Sequence, residues 1–168
     1  MRFKTIVILL LIFPAKILFA DDAMDLFVAA ASGKLERIES LLTNGVDINS
    51  KTASGRTALM SAAYNGNYRV AKKLIMFGAD PNIADNFGST ALMDALVFSD
   101  DRIVSVLISA GADVNAKDNK NTKVLDKAKI SGDKKIIDLL EKAGATDTEA
   151  DTVETEAPAQ DAETETAE

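Results

Sequence analysis

The sequence predicts an all-α solenoid of four helix-turn-helix units, each 33 residues long and joined by extended loop connections. Three observations carry this. Gly45, Gly78, Gly111 and Gly144 recur at intervals of 33 residues. Asp47, Asp80 and Asp113 keep the same period, as do Asn49, Asn82 and Asn115. Leu26, Leu59, Leu92 and Leu125 keep it too, with Ala29, Ala62, Ala95 and Ala128 one helical turn further on. Columns held in one register over that distance mean stacked copies of one unit, because a single unit cannot bury its apolar face alone.

The chain has 168 residues, and its first 20 read as an export signal. Arg2 and Lys4 make a basic start, Ile6 to Phe13 an apolar run, and Ala20 a small residue before Asp21 and Asp22. Pro14 and Lys16 cut the run far short of the roughly 20 residues that span a bilayer. Cleavage is expected between Ala20 and Asp21, with contact to a membrane only transiently through this segment. No Asn-x-Ser/Thr sequon suggests a glycosylating route, so the expected location is periplasmic or secreted, a bacterial periplasm fitting best.

The expected folded body is 21–145, with units at about 22–54, 55–87, 88–120 and 121–145. In the second unit Gly55 marks a turn and Thr57 can cap a helix whose buried positions are Ala58, Leu59, Ala62 and Ala63. Small residues there let neighbouring layers approach. Gly66 breaks the chain, and Val70, Ala71, Leu74 and Ile75 line a second helix. The third unit matches with Ile103, Val104, Leu107 and Ile108, the first with Ile38, Leu41 and Leu42, the fourth with Ile136, Ile137 and Leu140. Mid-stack Leu107 is expected to be fully buried. Gly78 and its equivalents suit the left-handed position after a helix end.

The segments GRTALMSAAYNGN…VAKKLIMFGADPN, GSTALMDAL…IVSVLISAGADVN and AAASGKLERIESLLTNGVDIN resemble the ankyrin-repeat family over roughly residues 23–145. The resemblance implies an ankyrin-repeat solenoid that binds another protein. Ala58-Leu59-Met60 and Ala91-Leu92-Met93 stand where that family has Pro-Leu-His, so its Thr–His hydrogen bond cannot form. The fourth unit has Asn121 for the turn glycine, Lys123 for the threonine and a charged second helix, as a terminal cap requires. Asp22 in place of glycine marks the first unit as the opposite cap.

Catalysis has little to work with. The absence of Cys and His excludes disulfides, thiolate or imidazole metal sites and Cys or His catalysis. The Asp-x-Asn triplets lack the glycine and distal glutamate of an EF-hand and read as turn chemistry. Ser131 and Lys134 match Ser-x-x-Lys, but no second motif supports them. No enzyme, cofactor, metal or small-molecule substrate is expected. The net charge of −7 comprises +3 in the first 20 residues, −9 in the last 23 and −1 on the body. A nearly neutral body carries no basic footprint for nucleic acid. Residues 146–168 hold nine acids, no base and few apolar side chains, and read as a disordered, solvated acidic tail.

The expected function is an exported adaptor or inhibitor that binds a partner protein. Specific versions are an immunity-type protein neutralising an exported toxin or enzyme, and an effector delivered to a host cell. The resemblance puts the partner on the concave side. The loop tips there are Arg56, Phe87, Ser89, Lys120 and Thr122; the helix-face positions are Tyr64, Asn65, Val97, Phe98 and Ile130. Tyr64, Phe98 and Ile130 lie at or beside one repeat column and would form an apolar stripe, the kind of patch that marks interaction sites.

Overall fold

The structure, a computed structural model, describes residues 19–98 and 100–147. Among them are eight helices: α1 (Phe19–Ala31), α2 (Leu35–Thr43), α3 (Ala58–Tyr64), α4 (Tyr68–Met76), α5 (Ala91–Ala95), α6 (Asp101–Ser109), α7 (Val124–Ser131) and α8 (Lys134–Lys142). No strand forms among the described residues, and the only pairing is an isolated bridge between Lys117 and Lys123. The fold is the expected all-α solenoid. Most of the predicted signal and the tail beyond Asp147 lie outside the described residues.

Each unit is an inner helix followed by an outer one. The inner helices α1, α3, α5 and α7 stack in order, and α4, α6 and α8 stack behind them. Ala58, Ala62 and Ala63 are buried on α3, so α1 and α5 can close on it from both sides. Larger side chains fill the space between the two rows: Leu59, Leu74, Leu92, Ile103, Leu107, Leu125, Ile136 and Leu140 are all enclosed. Leu107 is fully buried, as its place in the stack requires.

Two backbone devices repeat with the unit. After α4, Gly78 takes φ +90° and its N–H donates to the Ile75 carbonyl at 3.0 Å, while Ala79 N donates to Leu74 O at 3.0 Å. That arrangement satisfies carbonyls left over at the helix end. The second device is an asparagine ladder. Asp47 Oδ1 accepts from Asn49 N at 2.9 Å, and Asn49 Oδ1 accepts from Asp80 N of the next unit at 2.9 Å. Asn82 and Asn115 repeat the link, accepting from Asp113 N at 2.7 Å and Thr146 N at 3.0 Å. The Asp-x-Asn triplets therefore act as turns and as ties between units.

The loop tips explain one departure in the fourth unit. Gly55 and Gly88 have φ +79° and +76°, and a Cβ on them would lie 2.9 Å from Asn86 N and 2.8 Å from Asn119 N. Each tip seats the next tip: Asn86 N donates to Ser54 O at 3.1 Å and Asn119 N to Phe87 O at 2.9 Å. Asn121 keeps the left-handed turn with φ +62°. Among the described residues no further tip stacks on it, and asparagine is a residue type that tolerates this conformation.

Three details differ from the sequence expectation. Asp22, in the glycine column, lies within α1, so the first unit has helix where later units have a turn glycine. Helix α5 is only five residues long; Leu96 N and Val97 N bond back to Met93 O and Asp94 O in a tightened turn. Thr146 and Asp147, assigned to the tail, are held against the fourth unit. Besides the Asn115 link, buried Lys123 donates through Nζ to the Thr146 and Asp147 carbonyls at 3.4 and 3.2 Å, and Lys129 pairs with Asp147 at 2.5 Å.

Candidate partner-binding face

The inner helices leave one face uncovered, and it carries most of the residues singled out from the sequence. Tyr64 is the last residue of α3 and Asn65 its C-cap. Val97 and Phe98 follow α5, and Ile130 lies near the end of α7. Tyr64 is 43% exposed, Phe98 63% and Ile130 84%. Val97 and Phe87 are exposed as well.

Two of these rings meet. Tyr64 and Phe98 pack edge to face with centroids 5.9 Å apart and planes at 78°, a geometry that sets the positive edge of one ring against the negative face of the other. Ile130, also exposed, lies near the end of α7 one unit further along. Asn65 is exposed, and its Nδ2 is tied to Ser61 O at 2.8 Å.

The tip residues divide into two kinds. Phe87 and Lys120 point out and are exposed. Ser89 and Thr122 are half-buried and serve the turns: their N–H groups donate to Asp85 Oδ1 and Asp118 Oδ1, each at 2.9 Å. Arg56 is not a free tip. Its guanidinium pairs with Asp94 at 2.5 Å and lies 3.7 Å from Asp85. It also sits 5.7 Å from the Tyr64 ring centroid and 6.0 Å from that of Phe27, within cation–π range.

Asp94, Asp85 and Phe27 belong to this cluster although the sequence reading passed over them. Asp94 occupies the column of Ser61 and Lys127, so no period announces an acid there. Asp94 is only 6% exposed. Burial pushes its carboxyl up to about 6, against the pull of Arg56. Asp118, in the next turn, behaves oppositely: the hydrogen bond from Lys127, a 2.8 Å ion pair, brings it down to about 2. Of the Ser-x-x-Lys pair, Ser131 spends its hydroxyl locally: Oγ donates to Ala128 O of its own helix at 2.7 Å.

A row of helix pairs with tied turn tips on one side is a repeat scaffold that presents a surface rather than a cleft. Residues 26–118 match the family model for ankyrin repeats, in three copies, and the chain belongs to the ankyrin-repeat family. The match stops before α7, where Asn121 and Lys123 depart from the earlier units. No curated protein matches the chain. Ankyrin repeats point to a protein partner.

Proposed function

We propose that this chain is an exported interaction module, an adaptor or inhibitor, that holds its partner protein on the inner-helix face. The observation that carries the reading is the exposed Tyr64–Phe98 pair, with exposed Val97 next to Phe98 in the chain and Phe87 exposed at a loop tip. Folding gains little from rings left in water, whereas a partner that covers them gains both apolar area and rigid anchors. Arg56 beneath Tyr64 adds a positioned cation, and Asn65 and Lys120 supply polar groups at the rim. The basic start, short apolar run and Ala20–Asp21 junction support export.

A photoreactive side chain tests the face directly. Placed at Asn65, it should crosslink a protein of one size in extracts of the native host. Placed at Lys72, exposed on outer helix α4, it should not. Equal yields from both positions, or crosslinks from Lys72 alone, would overturn the reading.

A further inference from the structure

The exposed rings are mechanically connected to a buried acid through one arginine. Arg56 Nη2 lies 2.5 Å from Asp94 Oδ2, and the same guanidinium stacks near Tyr64, which in turn packs on Phe98. We propose that Asp94 is a proton-operated latch on the binding face: its carboxylate pins Arg56 beneath Tyr64, and its protonation in mildly acidic surroundings frees Arg56 and weakens the hold on the partner. The inference rests on the proposed binding face and names how that face is regulated.

The charged surroundings of Asp94 are few. Arg56 reaches it from the segment entering α3, Asp85 from the turn before α5, and Lys127 from α7. Lys127 is itself engaged at 2.8 Å by Asp118. The buried face of α6 contributes Ile103, Val104 and Leu107, with no charge, and Ser61 on α3 spends its hydroxyl on Phe27 O at 2.9 Å. Asp94 thus depends on Arg56 for its close compensating charge while burial works against its ionised form.

The consequence of adding one proton follows from the same distances. A neutral Asp94 no longer attracts the guanidinium as a charge, and Arg56 is left with Asp85 at 3.7 Å. The set Arg56, Asp85 and Asp94 changes from net −1 to neutral. With its short tie gone, Arg56 samples other rotamers and the Tyr64 ring loses its fixed floor. An ordinary aspartate, at about 3.9, would stay charged throughout the mildly acidic range; Asp94, pushed up to about 6, changes charge within it.

The test uses the full chain and needs no partner for its first part. Aromatic ring signals of Tyr64 and Phe98 and the Arg56 side-chain N–H are followed by NMR from neutral to mildly acidic pH. All three should shift together with one midpoint near 6. Asp94→Asn should abolish the transition and give the acid-side positions at neutral pH. Should that variant fold poorly, Arg56→Gln should leave Asp94 titrating while uncoupling the ring signals from it. Flat ring signals in the unmodified chain, or a transition that survives in Asp94→Asn, would overturn the latch while leaving the binding face intact. In the second part, the crosslinking yield from the photoreactive group at position 65 should fall about tenfold on acidification, the scale of one charge-assisted contact, and become pH-independent in Asp94→Asn. A yield that does not change with pH would overturn the regulatory role. No crosslink at any pH would sink the binding face instead, with the NMR transition still standing.

Discussion

Replacing Gly88 with alanine separates backbone strain from the seating of one turn tip on another, and Gly78 provides the control. Both glycines have left-handed φ, +76° and +90°. An alanine in that conformation costs about 1–2 kcal/mol, partly offset by the reduced freedom of the unfolded chain. At Gly78 nothing lies within 4 Å of the added Cβ, so about 1 kcal/mol is the whole effect. At Gly88 the Cβ would lie 2.6 Å from Asn119 Oδ1 and 2.8 Å from Asn119 N. The next tip must move, which breaks the Asn119 N–Phe87 O and Asn119 Nδ2–Asn86 O bonds, 2.9 and 3.0 Å long. Two bonds at roughly 0.5–1.5 kcal/mol each raise the total to about 2–4 kcal/mol. Equilibrium urea unfolding monitored by circular dichroism measures both variants. Equal losses in Gly78→Ala and Gly88→Ala would refute the claim that each tip is built to seat its successor.

Further outcomes follow from the same structure. Leu107→Ala removes a fully enclosed side chain of α6, a helix that packs against α4, α5 and α8, and should cost about 2–5 kcal/mol by urea unfolding. Asp94 has a folded-state pKa raised from 3.8 to about 6, so its destabilisation, about 3 kcal/mol, is present above 6 and relieved as pH falls through 6 toward 3.8. Asp118 is lowered from 3.8 to about 2, so its contribution is present above 3.8 and lost as pH falls toward 2. Thermal melts should therefore show stability rising from neutral pH into the mildly acidic range and falling below it, and Asp94→Asn should remove the rise. Truncation after Asp147 should leave the melting temperature unchanged, whereas truncation after Ala145 should lower it, because Lys123 then loses its two carbonyl partners. N-terminal sequencing of protein from the native host should find a start near Asp21; an intact Met1 in the cytoplasm would end the export proposal.

What could be read in the sequence is what recurs. The glycine, leucine and alanine columns located every helix pair, because each unit meets the same packing problem. Asn49, Asn82 and Asn115 were visible as a column, but their action as ties depends on where the following unit puts its N–H groups. Asp94 was hidden for the opposite reason: one acid in a column with Ser61 and Lys127 has no period, and its partner Arg56 lies 38 residues away in the chain. Arg56 could be read as a tip residue, but its ties to Asp94 and Asp85 could not, since only the fold brings those acids to it. The shortening of α5 had a faint signal in Ser99, which replaces the glycine that breaks the other units. The place of Thr146 and Asp147 had none, because composition cannot tell a tied acidic residue from a solvated one.

One double variant decides whether Tyr64 and Phe98 serve a partner or the core. Tyr64→Ala with Phe98→Ala removes two side chains that are 43% and 63% exposed and pack on each other edge to face. Their mutual contact is worth about 0.5–1.5 kcal/mol, a small part of the roughly 5–15 kcal/mol that stabilises a domain of this size. As interface anchors they would each contribute about 2 kcal/mol or more to binding. Capture of the protein that crosslinks at position 65 is measured alongside the melting temperature. Capture should be lost while the melting temperature stays nearly unchanged; a sharply lowered melting temperature would place these rings in the core instead, and capture as strong as in the unmodified chain would contradict their role in binding.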